Sequence, residues 1–128
     1  MAQLNFSGQL DYKGKSLSVS LSMYLFKEDK SYILYCPALD LSAYGDTEDK
    51  AKDNFADIFG ITIKYMLNKN TLKEDLLNHG WQIKNLNQKK IKAPSFETMF
   101  KNNDSFREIL EKKEYTTYKQ DVGIPQFA

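Results

Sequence analysis

Between Ser16 and Leu25 the chain alternates small polar with apolar residues: Ser16, Ser18, Ser20 and Ser22 interleave with Leu17, Val19, Leu21, Met23 and Leu25. Side chains of a strand point alternately to its two faces, whereas a helix of roughly 3.6 residues per turn scatters every second residue around its circumference. The period therefore predicts a strand over Ser16–Phe26 with one buried and one wet face. A charged loop, Lys27-Glu28-Asp29-Lys30, follows, and Ser31 to Cys36 resumes as a strand. Antiparallel pairing of the two is the simplest closure. Pro37 has no backbone donor, so it ends the second strand or sits at an edge. Leu39, Leu41 and Ala43 alternate again and predict a short third strand ending at Tyr44-Gly45. Upstream, Leu4, Phe6 and Leu10 read as an additional first strand, turned by Lys13-Gly14-Lys15.

The period then changes. Asp46-Thr47-Glu48-Asp49 opens a helix: Thr47 can accept a free N–H of the first turn, and the acids suit the positive end of the helix dipole. Ala51, Phe55, Ile58, Phe59, Thr62 and Met66 recur at spacings of three and four, with Lys50, Lys52, Asp53, Asp57 and Lys64 between them. This predicts one amphipathic helix lying on the sheet, with Gly60 explained by close approach to a strand. Thr71-Leu72-Lys73-Glu74 has the spacing of a capping box, and Gly80 suits a left-handed stop. Trp81-Gln82-Ile83 reads as a short strand returning to the sheet.

A chain of 128 residues suits one domain with room for a short appendage, and folding hides roughly two-thirds of its extended surface. One Cys rules out an intrachain disulfide or a multi-thiolate metal site, and one His rules out multi-histidine ligation. Cys36 reads as an apolar packing residue, and His79 as a helix-end residue. The start of the chain lacks the pattern of a secretory signal, and no stretch approaches the ~20 apolar residues that span a bilayer. A cytoplasmic protein without a membrane segment is expected. Asp40, Asp46, Glu48 and Asp49 are the residue types of a Mg²⁺ site. Two-metal hydrolysis, however, needs carboxylates projecting from rigid strands toward one point, and the strands over Ser16–Phe26 and Ser31–Cys36 hold no Asp or Glu. No catalytic, cofactor or metal residue is assigned.

Charge is segregated. Residues 1–80 carry nine basic and eleven acidic residues; residues 81–128 carry nine and six. Lys84, Lys89, Lys90 and Lys92 form a basic run and are the candidate nucleic-acid contacts, although no aromatics interleave with them for base stacking. An amphipathic stretch follows at Phe96, Met99 and Phe100, then a last helix capped at Asp104-Ser105 and carrying Phe106, Ile109 and Leu110. The end, from Tyr115, is extended and apolar enough to dock. Tyr24, Tyr32, Tyr35 and Tyr44 are the candidate partner contacts: several fall on the wet face, and an aromatic wet face calls for a cover or a partner.

Tyr32 to Trp81 runs Tyr-Ile-Leu-Tyr-Cys-Pro-Ala-Leu-Asp-Leu, then Tyr-Gly-Asp-Thr, then the helix. This resembles the HicB family of bacterial antitoxins over about half the chain. Pro37, Leu39, Gly45, Asp46 and Thr47 occupy the family's Pro-x-Leu and Gly-Asp-Thr positions, and Ala51 and Asn54 fit its helix. The resemblance implies a degraded ribonuclease-H-like fold, β-β-β-α-β, without nuclease activity. It also implies an interaction module that binds and neutralises a small partner protein, a toxin that cleaves mRNA. Many members add a helix-turn-helix or ribbon-helix-helix module that binds operator DNA. Residues 84–128 lack that spacing and read instead as a helical and extended arm.

The combined expectation is an α+β protein. It has an antiparallel three- to four-stranded sheet under one long helix in residues 1–83. The arm in residues 84–128 docks on that domain or on a second subunit of a homodimer. The function expected is non-catalytic partner binding, with no cofactor. The alternative is a nucleic-acid-binding or transcription-regulatory protein using the Lys84–Lys92 stretch.

Overall fold

The alternation becomes pairing in the computed structural model, which describes residues 16–85 and 90–125. The serine-striped stretch is β1 (Ser16–Glu28), turned by Asp29 at φ 55° into β2 (Ser31–Cys36). A second turn leads to β3 (Leu41–Gly45). The pairs Tyr24↔Tyr35 and Leu25↔Leu34 join β1 to β2, and Leu34↔Ala43 joins β2 to β3, all antiparallel. The additional strand expected over Leu4–Leu10 lies outside the described residues.

The long helix α1 (Glu48–Lys69) packs on β2 and β3. Thr47 Oγ1 accepts the Lys50 amide at 3.1 Å, as the cap reading requires. Ala51, Phe55, Phe59, Ile63 and Met66 are buried, and so are Leu21, Met23, Leu25, Leu34 and Ala43, which share one face of the sheet. Asn70, left-handed at φ 58°, ends the helix. The next helix, α2 (Leu72–Asn78), begins at Thr71, whose side chain makes no capping bond, so the capping box does not form. Gly80 does act as the stop. At φ 90° it lets its own N–H reach the Leu77 carbonyl, at 3.1 Å, and lets Trp81 N–H reach that of Leu76, at 3.0 Å.

Past Gly80 the path departs from the sequence reading. Residues 82–83 do not return to the main sheet. They open β4 (Gln82–Asn85), which pairs with β5 (Lys90–Lys92) in a separate two-stranded sheet. The fourth strand of the main sheet is β6 (Tyr115–Pro125), giving the order β3-β2-β1-β6. It pairs antiparallel with β1 from Ser16↔Pro125 to Phe26↔Tyr115. An eleven-residue strand ending in Val122 and Ile124 buries both against the core and satisfies a full ladder.

Between β5 and β6, α3 (Phe96–Asn102) and α4 (Asp104–Lys112) cross the other face of the sheet. Phe106 of α4 meets Tyr24 edge-on at 4.9 Å between ring centroids. The wet face predicted for β1 is therefore wet only at its start. Ser18 and Ser20 are exposed and Ser22 is half-buried, whereas Tyr24 and Phe26, on the same face, are buried. Within the segment expected as a docked arm, Met99, Phe106, Ile109, Val122 and Ile124 belong to one core with Leu21, Phe55 and Trp81.

Candidate interaction surfaces

The β2–β3 turn holds the Cys-Pro-Ala-Leu-Asp motif. Its backbone folds on itself through Leu39 N–H to the Cys36 carbonyl and Asp40 N–H to the Pro37 carbonyl, with Asp40 left-handed at φ 52°. Two distant residues clamp it. Trp81 Nε1 donates to the Ala38 carbonyl at 2.7 Å, inside the core. Asn103 Nδ2 donates to the Tyr35 hydroxyl at 2.7 Å, which in turn donates to Asp40 Oδ1 at 2.7 Å. Burial, reinforced by the Asp40 carboxylate, pushes the Tyr35 hydroxyl well above its ordinary range. Pro37, Leu39 and Asp40 thus build a fixed corner.

Gly45, Asp46 and Thr47 join β3 to α1. A Cβ on Gly45 would lie 2.3 Å from the Ala51 amide nitrogen, so only glycine lets the strand end pass the first helical turn. Asn54 Nδ2 donates to the Tyr44 carbonyl at 2.6 Å and ties the same junction from the helix side. Thr47 caps, and Asp46 is exposed. Among the described residues no three His, Cys, Asp or Glu side chains come together to hold a metal.

The tyrosine quartet does not form one surface. Tyr24 and Tyr35 are buried under α4 by this chain's own residues, which removes them as contacts for a separate partner. Tyr32 lies on the opposite face of the sheet, its ring 5.3 Å from the Lys27 ammonium. Tyr44 alone stands exposed, on the edge strand β3. The basic run is divided as well. Lys84 lies in β4, Lys90 in β5 and Lys92, exposed, at the end of β5; Lys89 lies outside the described residues.

The outward side of α1 was not singled out by sequence reasoning. Asp49, Asp53, Asp57, Ile61 and Tyr65 follow one another at intervals of four and all are exposed. Residues spaced by four form a ridge on a helix surface. Ile61 is 68% and Tyr65 60% exposed, which is high for an isoleucine and a tyrosine. Beside the ridge, Ala56, Gly60 and Lys64 border a shallow groove of about 360 Å³. Gly60 therefore opens the outer surface and does not approach a strand. Among the described residues, the ion pairs are His79–Asp75, Arg107–Asp104, Lys112–Glu108 and Lys113–Glu28, so none engages the three ridge aspartates. The signal was in the sequence: every fourth position from Asp49 to Tyr65 passes from acidic to apolar halfway along.

A cavity of about 510 Å³ lies between the end of α2 and the α3–α4 corner, bordered by Pro37, Asp40, His79, Asn103 and Ser105. His79 Nδ1 lies 2.8 Å from the Asp75 carbonyl oxygen and 3.3 Å from Asp75 Oδ2. The ring nitrogen is thus held at the helix end, as the sequence reading places it. Cys36 is fully buried and its thiol is pushed up to about 12 by burial, so it packs and does not react. No described helix is long and apolar enough to cross a membrane. Comparison with protein-family models, with curated proteins and with solved structures finds no significant match to the chain.

Proposed function

We propose that this chain is a non-catalytic, HicB-like interaction module of the cytoplasm that binds and neutralises a small basic partner, a toxin that cleaves mRNA. The ridge on α1 carries the reading. A protein that grips RNA presents lysines and arginines to phosphate. Three carboxylates in line along one helix attract such a surface and, once docked, cover the groups that would have held the RNA. Ile61 and Tyr65 extend the same line and supply the desolvated anchors that hold an interface after encounter. The groove at Ala56 and Gly60 leaves room for a partner's side chains between the ridges.

A homodimer is part of the proposal. Among the described residues β6 is an outer strand of the main sheet. Two copies related by a twofold axis can pair there.

The decisive experiment co-expresses the tagged chain with the small basic protein encoded by an adjacent reading frame. The pair is expected to co-purify, with RNA cleavage by the partner suppressed. A variant carrying Asp53→Lys, Asp57→Lys and Ile61→Asp is expected to lose both effects while its melting curve stays in place. If no such protein is captured, the antitoxin reading fails. If the variant still captures it, the ridge is not the interface. Light scattering should find two copies of the free chain, and a strict monomer removes the dimer alone.

A further inference from the structure

On the face opposite α1, the exposed start of the serine stripe is roofed by the segment that leaves β5. Ser20 and Ser22 of β1 and Lys119 of β6 line one side of a groove of about 420 Å³; Lys92, Phe96 and Met99 line the other. Lys119 is the cross-strand partner of Ser22, so hydroxyl and ammonium sit side by side on the pleated surface. Phe96, which lines the groove, is 52% exposed, and Phe100 beside it 37%. Their rings stack at 6.0 Å between centroids with 20° between planes. The Arg107 guanidinium lies 5.9 Å from the Phe100 ring and extends this platform. Lys92, at the end of β5, is the member of the basic run that borders the groove. Two carboxylates are near: Asp121, the cross-strand partner of Ser20, is on the same face but does not border the groove, and Asp104 pairs with Arg107.

We infer that this groove binds single-stranded RNA, with Lys92 and Lys119 on phosphates, Phe96 and Phe100 under bases, and the hydroxyls of Ser20 and Ser22 beside the ribose. Phosphate neutralisation and stacking on aromatic rings are the two terms that hold a single strand without reading its sequence. The basic run alone lacks the aromatics. The fold supplies them from α3. A serine hydroxyl can both donate to and accept from a 2′-OH, the group that separates RNA from DNA. The site lies on the sheet face away from the acidic ridge, so it stands or falls independently of the partner proposal.

The test is fluorescence anisotropy of the full chain with a labelled mixed-sequence RNA of about 12 nucleotides, within the range one such surface covers. Binding is expected to weaken as salt rises. The Lys92→Glu/Lys119→Glu double variant should lose about tenfold or more in affinity. Its log affinity against log salt should flatten by about 1.4, two phosphate contacts at ~0.7 each for a single strand. Phe96→Ala should weaken binding at least about fivefold with the salt slope kept, since a stacked base contributes ~1–3 kcal/mol. Because Phe96 also touches Phe106, Phe96→Trp is made in parallel and should retain binding. Asp121→Asn should tighten it. Absence of binding at low salt overturns the inference, as does an affinity indifferent to the lysine pair. Tighter binding of the matching DNA strand overturns the RNA assignment, and tighter binding of a duplex overturns the stacked single strand.

Discussion

A methyl group at position 45 has nowhere to go: the backbone of Lys50 and Ala51 already occupies that space. Gly45→Ala should therefore destabilise the fold by about 1–3 kcal/mol, the usual cost of overpacking, read as a lower urea midpoint with an unchanged slope. Lys52 is a second such site. The helical pattern places it among the polar positions, yet it is 6% exposed, with its ammonium 5.3 Å from the centre of the Tyr118 ring. The Tyr118 hydroxyl is buried beside it and makes no hydrogen bond among the described residues. An unsatisfied buried hydroxyl costs ~1–3 kcal/mol, so Tyr118→Phe should raise stability by about 1 kcal/mol. Burial pushes this hydroxyl and the Cys36 thiol up to about 12, from ordinary values of 10.0 and 9.0. Above pH 9 the unfolded chain releases protons that the folded chain keeps. The contribution of these two groups to stability should thus be lost as pH rises from about 9 to 12. Melting temperatures across that range check it, and Tyr118→Phe should make the decline shallower.

Among the elements, α4 shows most clearly what a pattern can and cannot reveal. Its existence follows from the spacing of Phe106, Ile109 and Leu110, and the structure confirms it. Its cap is not Asp104 or Ser105 but Asn103, whose Oδ1 accepts the Phe106 amide at 3.0 Å while its Nδ2 reaches Tyr35. Several residues near a helix start can cap it, and a contact spanning 68 positions of sequence decides which one does. Asn103→Ala removes both bonds and should cost about 2 kcal/mol. Asp104→Ala and Ser105→Ala should each stay within about 0.5 kcal/mol of the parent protein. Urea titrations of the three variants separate them. β1 carries the same lesson. Its period of two was legible, but the second half of its wet face is covered by helices more than seventy residues away, so Tyr24 and Tyr35 became core.

At the scale of the whole molecule, β6 completes the sheet that residues 16–45 begin. Cutting the chain after Ile83 removes the strand paired with β1 from Ser16 to Phe26 and uncovers Tyr24, Tyr35 and Met23. The fragment 1–83 should therefore fail to fold, giving a collapsed amide NMR spectrum and aggregation. A well-dispersed spectrum would show that the first three strands and α1 form a unit of their own. The charge asymmetry of the two halves also takes on a spatial meaning. The acidic ridge of α1 lies on one side of the sheet and Lys92 and Lys119 on the other, each beside its own exposed apolar residues.

What the linear order of residues determined by itself is local: the period of β1, the Thr47 cap, the stop at Gly80, the apolar stripe of α1. Each depends on side chains within one or two turns or on the pleat of a single strand, and these interactions act over a few positions. Tertiary structure alone decided that β6 is the fourth strand, that two of the four tyrosines are core, and that Phe96 meets Lys92 and Lys119 across a groove. Those outcomes depend on which distant surfaces exclude water together, and burial between remote segments leaves no period along the chain.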